Sequence, residues 1–144
     1  MKIKQLSVFM ENQPGHLRQV CADLAAAGIN IVTLSLADTS EFGILRLIIR
    51  EWEQARAVLQ EAGHTVNATD VMAIEVQDRP GGMESVLAIA EEAGVGIDYM
   101  YAFTIKEADK ALLVIRFDDL ERAAAALSAA GVPVLEPNCF YQDT

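Results

Sequence analysis

The chain has 144 residues, enough for one ordinary domain or two small ones. With 52% hydrophobic and 22% charged residues, it does not have the composition of an intrinsically disordered protein. Its formal net charge of −10 argues against binding to nucleic acids or to anionic membranes, because both are negatively charged. We find no apolar run of the roughly 20 residues that a membrane-spanning helix needs, and no signal peptide. Together with two cysteines in no metal or redox spacing, this predicts a cytoplasmic protein.

The first half of the chain predicts strand, helix, strand, strand, helix, strand. Apolar residues alternate with others from Leu6 to Met10, which indicates a strand, and Pro14-Gly15 ends it. Apolar residues then recur at helical spacing from Leu17 to Leu24, and Gly28 closes that helix. The elements predicted after it are a strand over 29–36, a turn around 38–40, a strand over 44–50, a helix with an apolar stripe over 55–62, and a strand from 66 onward.

The second half of the chain repeats the first. Shifted by 66 residues, the sequence overlays on itself without a gap for about half its length. The matching pairs are Pro14-Gly15 with Pro80-Gly81, Gly28 with Gly94, Ile49 with Ile115 and Arg50 with Arg116. Near the end the shift becomes 68, since Leu59 matches Leu127, which indicates two residues added around the last helix or the hairpin before it. The chain is therefore predicted to form two units, residues 1–70 and 71–144.

The second unit is predicted to have the same order of elements. Its strands are expected over 72–77, 97–104, 111–117 and 134–141, and its helices over 82–93 and 120–130. The order β-α-β-β-α-β is the ferredoxin-like plan, of the α+β class, in which an antiparallel sheet carries both helices on one face.

The other face of each sheet is not plainly polar, because the second and third strands are apolar on both sides. Leu34 and Leu36 lie in the second strand of the first unit, and Leu112 and Val114 alternate with apolar neighbours in the third strand of the second. Because an exposed apolar sheet usually marks an interface, an oligomer is expected, and a homodimer first of all.

Two loops of similar composition join the first strand of each unit to its first helix. Each has a short polar residue, then Pro at the helix entrance, then Gly. The backbone amides expected to face outward are those of Gly15, His16 and Leu17, and of Gly81, Gly82 and Met83. Such a helix start favours a carboxylate or a phosphate.

Asn12 and Asp78 end the first strands beside these amides. Either side chain can receive an α-ammonium group while the helix start takes an α-carboxylate, which is how a free amino acid would be held at both charged ends. The alternative is that both residues are N-caps, and a cap and a ligand contact do not exclude each other.

These loops give the chain a resemblance to a known family. Asn12-Gln13-Pro14-Gly15-His16-Leu17, an amphipathic helix and Gly28-Ile29-Asn30-Ile31 resemble the ACT domain, a small amino-acid-sensing module of biosynthetic enzymes. The second half, with Asp78-Arg79-Pro80-Gly81-Gly82-Met83 and a turn at 94–97, is similar to stand-alone tandem ACT proteins of bacteria. The resemblance implies that a small effector binds at an interface between two domains, and that the two sheets join edge to edge.

The resemblance also implies which residues hold the ligand. The positions that correspond to the family's ligand-holding Asn residues are Asn12 and Asn30 in the first unit, but Asp78 and Gly96 in the second, so the two sites are not equivalent. Met10 stands where serine-sensing members place a His, which argues against serine. The predicted ligand-binding residues are Asn12, Gln13, Pro14, Gly15, His16, Leu17, Asn30, Ile31, Asp78, Arg79, Pro80, Gly81, Gly82, Met83 and Tyr99.

The function predicted from these features is a non-catalytic regulator that binds an amino acid, with no metal or cofactor, and modulates a partner such as a biosynthetic enzyme. One alternative is a small enzyme on the same scaffold, since Arg79 lies near the place of a phosphate-cradling arginine, but we find no nucleophile–base pair. An RNA-binding module would need basic residues and aromatic residues on strands one and three, but the third strand of the first unit has no aromatic residue over 45–49, and the chain is acidic. A purely structural interaction module is the other alternative.

Overall fold

The computed structural model describes residues 2–11, 13–38, 42–104 and 109–143. It divides the chain into two compact units. We call Lys4–Thr69 the N-terminal unit, and Asp70–Thr144 together with Met1–Ile3 the C-terminal unit. Asn12 and most of the turn predicted around 38–40 lie outside the described residues.

The N-terminal unit contains a sheet with two helices. In chain order its elements are β1 (Ile3–Glu11), α1 (His16–Ala26), β2 (Thr33–Asp38), β3 (Phe42–Ile48) and α2 (Trp52–Glu61). Strand β3 lies between β1 and β2 and is antiparallel to both. The next strand, β4 (Thr65–Gln77), begins in this unit and continues without a break into the C-terminal unit.

The C-terminal unit repeats this plan. After β4 come α3 (Gly82–Glu92), β5 (Ile97–Thr104), β6 (Lys110–Phe117), α4 (Leu120–Ala129) and a short helix, α5 (Pro137–Asp143). Strand β6 lies between β4 and β5 and is antiparallel to both. The α+β class and the ferredoxin-like plan of the two halves are thus confirmed.

Each unit has its own core between its helices and one face of its sheet. The apolar stripes of the helices and every second residue of the strands meet there, as the two periodicities predict. The N-terminal core includes Leu6, Val8, Val20, Leu24, Leu45, Leu47, Ala55 and Leu59. The C-terminal core includes Met72, Ile74, Val86, Ala90, Leu113, Ile115, Ala123 and Leu127.

The strand predicted over 134–141 is wrong. Val134 forms an isolated β-bridge with Ile74, in which the Leu135 N–H donates to the Ala73 carbonyl at 2.9 Å and the Glu75 N–H donates to the Pro133 carbonyl at 3.0 Å. The chain then turns into α5 at Pro137. Proline cannot donate to a strand ladder, and its fixed φ suits the first turn of a helix.

The expectation of an open apolar face is also wrong for the C-terminal unit. Leu112 and Val114 are buried on the face opposite to α3 and α4. Phe103 pairs with Leu112 on that face. The fully buried ring of Phe140, from α5, packs edge to face against Phe103, with ring centroids 6.0 Å apart. The short C-terminal helix therefore covers part of a surface that the sequence pattern assigned to an oligomer interface.

The strand registers locate the two extra residues of the second copy. Leu6 pairs with Leu47 in the N-terminal unit, and its counterpart Met72 pairs with Ile115 in the C-terminal unit. The third strands therefore correspond at a shift of 68, whereas Leu34 and Met100, in the second strands, still correspond at 66. The insertion lies between β5 and β6, and the pairings of Ile49 with Ile115 and of Arg50 with Arg116 were wrong by two residues.

Candidate functional site

The corner between the first strand and first helix of each unit is built on a glycine in the left-handed region. Gly15 has φ 95° and Gly81 has φ 88°, and each occupies the N-cap position of its helix, α1 or α3. Among the described residues, no side chain caps either helix. The alternative that Asp78 is simply an N-cap is therefore wrong, and its exposed carboxylate is available at the corner.

Two of the backbone amides predicted to face a ligand are used by the turns themselves. The His16 N–H donates to the Gln13 carbonyl at 3.2 Å, and the Gly82 N–H donates to the Arg79 carbonyl at 3.0 Å. The prediction was wrong for these two positions because the left-handed glycine folds the chain back on itself before the helix starts. The amides of Gly81 and Met83 remain as candidates in the C-terminal unit.

Gly82 has a steric role that the sequence motif did not reveal. A Cβ atom at this position would collide with the main-chain carbonyl of Gln77, the last residue of β4. Because backbone cannot move aside as a flexible side chain can, the close approach of α3 to β4 requires glycine. The corner is thus fixed in shape before any ligand is considered.

A cavity of about 270 Å³ opens at this corner in the C-terminal unit; we call it the corner cavity. It is lined by Val76, Gln77, Asp78, Arg79, Met83, Ala102, Phe103, Ala111 and Leu113. Its lining thus combines one acidic and one basic residue, adjacent in the chain, with mostly apolar side chains. The volume lies just below the roughly 300–1,000 Å³ usual for ligand pockets, which suits a small molecule.

A larger cleft of about 530 Å³ lies around the same loop, and Val76, Gln77 and Arg79 line both cavities. Pro80, Gly81 and Gly82 also line it, together with Glu84, Ser85 and the segment 131–133. Two of its lining side chains, Lys110 and Glu75, form an ion pair with 2.7 Å between Nζ and Oε1. The Ser85 hydroxyl donates to the Gly81 carbonyl at 2.9 Å, which holds the loop against α3.

The turn before β5 is closed by the chain's own side chain. Asp118 accepts a hydrogen bond from the Gly96 N–H at 3.0 Å through Oδ1, and its own N–H donates to the Gly96 carbonyl at 3.0 Å. A Cβ atom on Gly96 would lie 2.7 Å from Asp118 Oδ2. An Asn at this position, such as the exposed Asn30 of the N-terminal unit, would therefore require the Asp118 side chain to move and would disturb its hydrogen bond with Gly96.

The predicted residues of the N-terminal corner lie mostly at the surface. Gln13, Pro14, Gly15 and Leu17 are exposed, and Ile31 is half-buried. His16 is held to β1, since its Nδ1 lies 3.0 Å from the Glu11 carbonyl and donates to it when protonated.

The structure brings Asp78, Arg79 and Met83 together around the corner cavity, but Tyr99 lines neither cavity. It pairs with Arg116 across β5 and β6. The sequence reasoning missed Phe103, Ala102 and Ala111. Strand order could have identified them. The end of β4 pairs antiparallel with the start of β6, which brings the adjoining ends of β5 and β6 to the corner.

The residues that the structure describes contain neither a cluster of metal-ligating side chains nor a helix suited to span a membrane. No group of three or more His, Cys, Asp or Glu side chains in that part of the chain is arranged to hold a metal ion. None of the described helices has both the length and the apolar character needed to cross a membrane.

Comparisons with known proteins agree with this architecture. The family model described as an ACT domain pair matches residues 1–134. The crystal structure of protein BT0572 from Bacteroides thetaiotaomicron is 35% identical in sequence, with a TM-score of 0.92, over 98% of this chain and 96% of that one. The ligand-free regulatory subunit of aspartate kinase from Thermus thermophilus is 17% identical, with a TM-score of 0.65, over 89% and 90% of the two chains. No curated protein matches the sequence.

Proposed function

Because the chain belongs to the ACT domain family as a tandem pair of domains, we propose that it is a regulatory protein without catalytic activity. Its ligand is a free amino acid, bound at the corner between β4 and α3. Occupancy of that site changes the behaviour of a partner, such as a biosynthetic enzyme. The regulatory subunit of aspartate kinase, which has the same fold, is named for this kind of role.

The observation that carries the proposal is the composition of the corner cavity. Asp78 supplies a carboxylate for the α-ammonium group, and neighbouring Arg79 supplies a guanidinium for the α-carboxylate. Val76, Met83 and Leu113 supply an apolar wall for the ligand's side chain. Opposite charges beside an apolar surface are what a zwitterion with a hydrophobic side chain requires.

The two units differ in this respect. The N-terminal unit has Asn12 and Asn30 at the matching positions, whereas the C-terminal unit has Asp78, and its Gly96 is bonded to Asp118. An acidic side chain attracts the ammonium group more strongly than a neutral amide does. We therefore assign the tighter site to the C-terminal unit.

A thermal-shift screen of the full chain against each of the 20 standard amino acids at 10 mM tests the proposal. A ligand present at 100 times its Kd adds about 2.7 kcal/mol to the free energy of unfolding. One or a few amino acids are expected to raise the Tm clearly. If none does so, the chain is not an amino-acid sensor, and a purely structural role becomes the better interpretation.

A pair of variants places the site. Asp78→Ala is expected to abolish the shift while leaving the Tm of the unliganded protein nearly unchanged, because Asp78 is exposed. Asp98→Ala removes an exposed carboxylate from β5 of the same unit and is expected to keep the shift. If the amino acid raised the Tm equally in both variants, its binding site would have to lie outside the corner cavity.

A further inference from the structure

The C-terminal segment, residues 131–143, contacts the candidate site of its own unit in two places. Residues 131–133 form one wall of the larger cleft. The chain then passes through the bridge at Val134 and reaches α5 on the other side of the sheet. The matching family model ends at residue 134, so α5 lies beyond the part that it describes.

The anchor of α5 is Phe140. Its side chain is fully buried, and its ring packs edge to face against Phe103 at 6.0 Å and against Tyr141 at 5.1 Å. The Phe140 N–H donates to the Glu136 carbonyl at 2.9 Å, which fixes the helical turn that presents the ring. In a helix of seven residues, this burial rather than helix propensity must provide most of the stability.

Phe103 connects this anchor with the candidate site. It lines the corner cavity together with Asp78, Arg79 and Met83, and it is also the residue on which Phe140 packs. A ligand that fills the cavity restrains Phe103 on one side, while α5 restrains it on the other. Because each contact orders the same residue, the second one to form has less conformational entropy to lose.

We propose that α5 is the responsive element of this protein, and that a ligand in the corner cavity tightens the docking of α5 through Phe103. The proposal rests on the proposed function, since it requires a ligand in that cavity. In the unliganded protein α5 opens more often, which exposes the apolar sheet face around Phe103, on which Phe140 packs. The signal is thus the accessibility of this face, and the ligand reduces it.

Hydrogen–deuterium exchange on the unmodified full chain tests this directly. The probe is the amino acid with the largest effect in the thermal-shift screen, added at 100 times its Kd. Exchange of the backbone amides of α5, Phe140 included, is expected to slow by roughly fivefold or more, the usual lower range of coupling between sites. Unchanged or faster exchange in α5, with protection at residues 77–83, would overturn the proposal while leaving amino-acid binding intact.

Coupling of this kind is reciprocal, so a change that weakens the docking of α5 must also weaken the binding of the ligand. Phe140→Ala is expected to raise the ligand's Kd, measured by calorimetry, by roughly the factor that exchange reports. Cys139→Ala, which changes an exposed side chain of the same helix, is expected to leave the Kd unchanged. Equal Kd values for Phe140→Ala and the unmodified chain would refute the coupling. If Phe140→Ala does not fold, the exchange result on the unmodified chain decides.

Discussion

At the scale of single residues, Gly82 is the position where the corner tolerates least change. Gly82→Ala places a Cβ atom against the Gln77 carbonyl, so α3 must move away from β4. Strain of this kind costs typically about 1–3 kcal/mol. We expect urea unfolding to show this loss of stability. We also expect a smaller thermal shift with the amino acid, because the cavity is lined by residues from both displaced elements, Val76 and Gln77 of β4 and Met83 of α3.

Gly43→Ala is the matched control for Gly82→Ala. Gly43 is also packed inside the protein, but its added Cβ atom would meet its nearest neighbour, Leu36 Cδ1, at an ordinary 3.6 Å. Since glycine weakens a strand relative to alanine, this variant is expected to be neutral or slightly more stable. A loss of stability as large as that of Gly82→Ala would show that the Gln77 contact is not the cause.

Asp23 makes the stability of the N-terminal unit depend on pH. His64 Nε2 donates to Asp23 Oδ2 at 2.8 Å, and Gln19 Nε2 donates to Oδ1 at 2.8 Å. These hydrogen bonds, first of all the one from His64, lower the pKa of the Asp23 carboxyl below its ordinary 3.8. A lowered pKa in the folded state means that the unfolded chain binds more protons, so the stabilisation is present above pH 3.8 and is lost below it.

Asp23→Asn keeps the shape of this side chain and removes its charge. We expect the variant to be less stable than the unmodified chain at neutral pH, and the difference to disappear as the pH falls below 3.8. Urea unfolding at a series of pH values measures it, with Asp98→Asn on β5 as the control. A stability difference that stays constant down to acidic pH would mean that the ionised carboxylate contributes nothing.

The site could be predicted from the sequence only in part, because local patterns carry only local chemistry. The Pro-Gly pairs mark both corners, and the sequence therefore identified Asp78, Arg79 and Met83, which do line one cavity. It could not show that the Gly82 amide is consumed by a turn, since that depends on the left-handed conformation of Gly81. It also missed Phe103, which meets the corner only through the pairing of strands.

At the scale of secondary structure elements, periodicity predicted what repeats and failed where the copies differ. Each unit up to its second helix follows the predicted order, because one buried face imposes a regular apolar pattern. The apolar residues over 134–141 fit a strand equally well, yet they form a bridge and then α5. A helix forms here instead of a strand because Pro137 favours the first turn of a helix and because Phe140 can then pack on Phe103. Phe103 is distant in sequence, so a local pattern could not show this contact.

The hairpin between β5 and β6 shows a second limit of sequence comparison. A gap in an alignment can be moved along a run of similar residues without making the match worse, and β3 and β6 each contain such a run of Ile and Leu, with Val in β6. The gap was therefore placed after β6 instead of before it. Because the side-chain period of a strand is two, a shift of two residues keeps every side chain on its own face, so the apolar pattern does not reveal it, whereas the hydrogen-bonded register does. Only the pairing of Met72 with Ile115 placed the extra residues before β6.

At the scale of the whole molecule, duplication has produced two units with the same plan and different surfaces. In the C-terminal unit α5 covers part of the apolar face beside β6, where Phe140 packs on Phe103. The N-terminal unit instead keeps large apolar side chains at its surface, with Leu34 and Leu36 nearly half exposed on β2. Leu34 and Leu36 pair with the core residues Leu47 and Leu45, so they lie on the helix-bearing face, and their predicted place on the open face of the sheet was wrong.

We expect the protein to form a homodimer through Leu34 and Leu36. Both side chains lie on the edge strand β2, on the sheet face that carries α1. Because they are two residues apart on one face of the strand, they form a single exposed apolar patch rather than two isolated side chains.

Light scattering coupled to size exclusion is expected to give twice the mass of the chain. The double variant Leu34→Ser, Leu36→Ser is expected to give the monomer mass. Phe42→Ser, an exposed residue on the opposite face of the same sheet, is expected to leave the dimer intact. A monomer in the unmodified protein at tens of micromolar, or a dimer that survives the double variant, would remove β2 as the interface.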